Sequence, residues 1–159
     1  MSKRYLTRPT LPEWILIIIL AGFSALLILL SELVVPVHYN FRGIPDKTGN
    51  HFTLLLIPLS GIVIYILLKG TKRFTGAFNY PVRITPENSR LQKDLAFKLL
   101  DSYAVITLVV FNLLLVHLLF ISFTGHITGI WIWGIIFLIS YILPIAVYLK
   151  KAFSAKNNP

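Results

Sequence analysis

Four stretches of this 159-residue chain are long, apolar and free of charge, which makes lipid rather than water their natural solvent. Trp14 to Leu30 is the first, extended by Leu33 to Val35 after a single Glu32; Phe52 to Leu68 is the second, with Pro58 and Gly61 inside it. Tyr103 to Phe123 and Ile130 to Leu149 follow, the last with Pro144 near its end. A bilayer core of about 30 Å needs roughly 20 apolar residues in a helix, because only a helix or a closed barrel satisfies its own backbone there. The composition agrees: 56% of the residues are hydrophobic and 13% charged, against about 25% charged in a soluble domain. The expected fold is an all-α integral membrane protein, a single membrane domain over 1–159, with four spans at about 13–35, 52–69, 103–123 and 130–149. The absence of cysteine excludes a disulfide scaffold, an iron–sulfur protein and a Cys-ligated zinc module.

Orientation follows from the basic residues, which short cytoplasmic segments retain. Lys3, Arg4 and Arg8 precede the first span, a basic series from Lys69 to Lys98 separates the second from the third, and Lys150, Lys151 and Lys156 follow the fourth. The opposite side holds only Arg42 and Lys47. The N and C termini and the loop at 70–102 are therefore expected in the cytoplasm, and the loop at 36–51 outside. The net charge of +9 is thus a topology signal, and no nucleic-acid partner is expected, since that would need a folded basic module. A cleaved signal peptide is the competing account of the first stretch; its length and the lack of a small-x-small cleavage site stand against it.

Helix starts are marked locally. Thr10-Leu11-Pro12-Glu13 has the spacing of a capping box. Thr85-Pro86-Glu87 supplies an N-cap hydroxyl, a proline at the first helical position and an acid in the first turn. With Leu91, Leu95 and Leu99 on one stripe, the segment is expected to form a cytoplasmic helical extension that runs into the third span or lies on the membrane surface.

The loop at 36–51 is dense in turn formers: Pro36 ends the preceding helix, and Gly43, Pro45-Asp46 and Gly49 each favour a tight turn. It is expected to be compact. Pro36, His38, Asn40, Gly43, Pro45, Asp46 and Gly49 together resemble the signature loop of a bacterial membrane-protein family of unknown function. That family includes the N-terminal part of the SdpI-type immunity proteins, which protect a producing cell from its own secreted toxic peptide. Asn79, Tyr80, Pro81 and Val82, followed by Thr85, Glu87 and Asn88, resemble the segment ahead of the family's third span, so the likeness covers roughly residues 10 to 123. Two departures stand out: Thr48 and His51 occupy the end of the loop where the family has an aromatic residue and then a lysine, and the larger SdpI-type proteins carry further spans.

The resemblance implies a non-enzymatic protein of the bacterial cytoplasmic (inner) membrane. It would bind a secreted peptide or another membrane protein through the outer loop, in an immunity-like or accessory role. Asn79, Pro81, Glu87 and Asn88 would be its cytoplasmic motif. The alternative is a small transporter or metal-binding membrane protein. Glu32, His38, His51 and His117 all fall toward the outer side, and imidazole with carboxylate suits Zn or Cu. Their spacing matches no metal motif, and no cofactor is expected. For Asn40 and Asp46 the plain alternative is turn stabilisation through their own backbone. Asn112 is expected to bond between helices, Glu32 with His117 is the pair to test for proton or ligand linkage, and a homo-oligomer is compatible with the sequence. No catalytic motif such as His-Glu-x-x-His or Gly-x-Ser-x-Gly occurs.

Overall fold

A computed structural model describes residues 8–29, 34–124 and 130–155. Helix α1 (Leu11–Leu29) leads into a two-stranded antiparallel hairpin, β1 (Val34–Tyr39) and β2 (Pro45–Asn50). A single 3-10 turn over His51–Leu55 then enters α2 (Leu56–Thr71). After a linker containing a short 3-10 turn at Thr75–Ala77 come α3 (Ser89–Thr124) and α4 (Ile130–Ser154). The protein is mostly helical, and α2, α3 and α4 are long and apolar enough to cross a membrane; α1 is a shorter apolar helix.

Local chemistry sets the boundaries. The Thr10 N–H donates to Glu13 Oε2 at 2.7 Å, and the Trp14 N–H donates to the Thr10 carbonyl at 2.9 Å, so the reach-back half of the capping box is formed. At the start of α3, Thr85 and Asn88 cap each other: the Thr85 N–H donates to Asn88 Oδ1 at 2.9 Å, and the Asn88 N–H donates to Thr85 Oγ1 at 3.4 Å. From there α3 runs unbroken for 36 residues, about 54 Å at 1.5 Å per residue. That exceeds a bilayer core by several turns, so the amphipathic stretch with Leu91, Leu95 and Leu99 continues directly into the apolar one. Pro58 falls in the first turn of α2, where its missing N–H has no helical partner to lose, and α2 continues through both Pro58 and Gly61.

The first span, expected over 13–35, is helical over Leu11–Leu29, while Val34 and Val35 belong to strand β1. Both are β-branched and paired with Asn50 and Gly49 across the ladder, so they extend the hairpin rather than the helix.

Helix α3 is the axis of the bundle, packing against α1, α2 and α4. Leu20 of α1, Tyr65 of α2 and Ala104, Leu108, Leu115 and Leu118 of α3 form the core. Gly61 lets α2 and α3 approach: a Cβ there would lie 2.9 Å from Phe111 Cγ. Asn112 donates to the Leu16 carbonyl of α1 at 3.1 Å as well as to Leu108 of its own helix, and so ties α3 to α1. Tyr103 and Thr107 bond to Tyr141 and join α3 to α4. Outward, the helices present Ile18, Leu67, Ile132 and Leu143 among many large apolar side chains. None of the most apolar stretch of α4 is buried. Apolar surface on that scale matches contact with a lipid bilayer.

Candidate functional site

The turn of the hairpin is hydrogen-bonded internally. Asn40 turns the chain: its Oδ1 accepts the N–H groups of Arg42 at 2.9 Å and Ile44 at 3.1 Å, while its own N–H donates to the Ile44 carbonyl. Gly43 adopts φ 75°, a left-handed conformation that suits glycine. The ladder pairs Pro36 with Thr48, His38 with Lys47 and Tyr39 with Pro45, and its irregularities fall around Val37 and between His38 and Tyr39. Gly49 is needed for a different reason, since a Cβ there would lie 2.7 Å from Val37 Cγ1. Asn50 Oδ1 then accepts the Phe52 N–H and starts the 3-10 turn.

Side chains add a second layer. His38 Nδ1 lies 2.5 Å from Asp46 Oδ1, joining the two strands at an exposed position. Tyr39 is partly shielded, its hydroxyl has no hydrogen-bond partner among the described residues, and burial pushes its pKa above the ordinary phenol value. The tip exposes two apolar side chains, Phe41 at 97% and Ile44, with Arg42 and Gly43 between them in sequence. All seven outer-loop residues singled out in the sequence lie on this one hairpin. Asn40 and Gly43 shape its turn, Gly49 makes room for Val37, and His38 with Asp46 bridges its two strands.

The candidate metal set does not assemble among the described residues. Glu32 lies outside them, as does the side chain of His51, so the proposed pairing of Glu32 with His117 falls there too. His38 is engaged with Asp46, and the His117 ring on α3 packs on Trp133 at 5.1 Å, its Nε2 without a hydrogen-bond partner among the described residues. No group of three His, Cys, Asp or Glu side chains that could hold a metal ion occurs among the described residues.

Of the residues ahead of α3, Asn88 is buried and caps the helix while its Nδ2 donates to the Arg83 carbonyl at 3.0 Å. Glu87 is fully exposed; a hydrogen bond from the Thr85 hydroxyl, with help from its own backbone N–H, holds its carboxyl below the usual glutamate value. Asn79 lines a cavity of about 290 Å³ with Thr71, Phe78 and Tyr148. Pro81 lies in the irregular linker before the cap.

Sequence reasoning missed a charged cluster at the end of the bundle away from the hairpin. Lys69 of α2 contacts Glu13 of α1 at 2.9 Å and Asp101 of α3 at 3.1 Å, and Lys72 also pairs with Asp101. Glu13, Lys69 and Lys72 are buried, and Asp101 is the partly open member. The ammonium groups lie over rings, Lys69 Nζ 5.9 Å from the Tyr65 centroid and Lys72 Nζ 5.6 Å from that of Phe97. The sequence signal was there: single charges of both signs sit at the ends of three apolar stretches.

Set against protein-family models, curated proteins and solved structures, the chain matches none of them.

Proposed function

We propose that this protein crosses a bacterial cytoplasmic membrane four times with both termini inside, and that its hairpin binds a secreted peptide or another membrane protein on the outer face. Its role is immunity-like or accessory, not enzymatic. Helix α1, at 19 residues and about 28 Å, is close to the thickness of a bilayer core. The distribution of Lys and Arg supports the orientation.

One observation carries the binding assignment: a hairpin with an internally bonded turn leaves Phe41 97% exposed and Ile44 exposed beyond the same turn. A preordered surface loses little conformational entropy on association, and a rigid aromatic anchor supplies contact area. The likeness of residues 36–49 to the SdpI-type signature loop supports a peptide as the partner.

The test is a deletion strain challenged with the peptides its own parent secretes. Sensitivity to one of them should rise, and wild-type protein should restore resistance while a Phe41→Asp, Ile44→Asp variant present at equal level should not. Unchanged sensitivity to every such peptide, or full rescue by the variant, contradicts the assignment.

A further inference from the structure

A second feature lies between α3 and α4 at the end opposite the hairpin. Leu99 on α3 with Leu143, Pro144 and Val147 on α4 floor an open trough of about 300 Å³, and Lys98 and Lys151 stand on its rim. Neither lysine has an ion-pair partner among the described residues; Asp101, one turn beyond Lys98, is turned to Lys69 and Lys72. Among the described residues no acidic side chain lines the trough. Both lysines also sit where apolar helix gives way to polar chain, Lys98 just before the stretch that begins at Tyr103 and Lys151 just after the one that ends at Leu149. That is the depth of lipid phosphates for a helix crossing a bilayer.

We infer that this trough is a binding site for an anionic phospholipid of the surrounding leaflet, with acyl chain along the Leu99, Leu143 and Val147 floor and headgroup phosphate between Lys98 and Lys151. Charge complementarity selects the occupant. Two unpaired cations over an apolar floor match an amphiphile with a negative head, and basic recesses between membrane helices hold such headgroups. The inference uses the membrane placement of α3 and α4 and is independent of what the hairpin binds.

The full chain, reconstituted in phosphatidylcholine bilayers with a small fraction of phosphatidylglycerol, tests it by native mass spectrometry of retained lipid. Each lysine near the surface contributes about fivefold, so Lys98→Gln with Lys151→Gln should lower phosphatidylglycerol retention about 25-fold. Arg73→Gln with Lys93→Gln removes the same charge from the same end outside the trough and should lower retention clearly less than Lys98→Gln with Lys151→Gln does. Val147→Trp, which fills the floor and keeps both charges, should also reduce retention. Equal losses in the two double variants would overturn the site in favour of general surface charge. Full displacement by millimolar inorganic phosphate would overturn the lipid as its ligand.

Discussion

The ammonium of Lys69 on α2 lies 2.9 Å from Oε1 of Glu13 on α1, with both side chains almost wholly shielded. Glu13 also receives the Thr10 N–H, so one carboxylate caps α1 and fastens it to α2. Lys69 extends the connection to Asp101 on α3, and three helices meet at a single ammonium group.

Removing one member of a buried ion pair leaves an uncompensated charge, which costs about 3 kcal/mol or more. The two members of this pair differ. Lys69→Ala takes away the ammonium partner of Glu13 and leaves it to Thr10, whereas Glu13→Ala leaves Lys69 with Asp101. Unfolding in detergent should show Lys69→Ala losing about 3 kcal/mol and Glu13→Ala clearly less. Equal losses would mean that Asp101 does not hold the orphaned lysine.

At Gly61 the demand is for space. A methyl group there meets the Phe111 ring, so Gly61→Ala should destabilise the bundle by about 1–3 kcal/mol. Adding Phe111→Ala should recover part of that loss, because the obstructing ring is gone. Additive losses in a double-mutant cycle would contradict the contact.

Asn40→Ala deprives the Arg42 and Ile44 N–H groups of their acceptor and should cost the hairpin about 1–2 kcal/mol. Amide exchange read by NMR should speed up at 42 and 44 and stay unchanged in α3. Protection that persists in the variant would show the turn to be held by other means.

Glu87 gives a pH signature. Its carboxyl is held below the ordinary value of 4.5, first by the Thr85 hydroxyl. The ionised form therefore favours the folded start of α3 at pH above that value, and the contribution disappears as pH falls through the lower folded pKa. A carboxylate titration followed by NMR should place Glu87 below an ordinary glutamate, and Thr85→Val should return it toward that value. No change in Thr85→Val would remove the hydroxyl as the cause.

The apolar helices were legible because each is a local property of sequence: length, lack of charge and a capping residue specify them. The start of α3 could be read the same way, from Thr85 ahead of it and the leucine stripe that follows. The sequence left open whether that stripe ran into the third span or lay on the membrane surface, and the helix is unbroken. The hairpin was legible only as a compact loop. Its glycines and prolines announced turns, but strand pairing depends on register, and the extended conformation of Val34 and Val35 follows from their partners in β2. The charged cluster was the least visible. Glu13 and Lys69 are 56 residues apart and Lys69 and Asp101 are 32 apart, so nothing in a window of one helix links them. Glu13 had a sufficient local reading as part of a cap and Lys69 as a topology signal, Asp101 had none, and only the packing of α1, α2 and α3 brings them together.

The chain's lack of cysteine makes placement in the membrane directly measurable. Single-cysteine variants Lys47→Cys on the hairpin and Arg73→Cys beyond α2 would be treated in intact cells with a thiol reagent that cannot cross the membrane. A hairpin that meets partners outside the cell predicts labelling at 47 and none at 73 until the cells are opened. Labelling at 73 with protection at 47 would invert the protein and put its recognition surface in the cytoplasm.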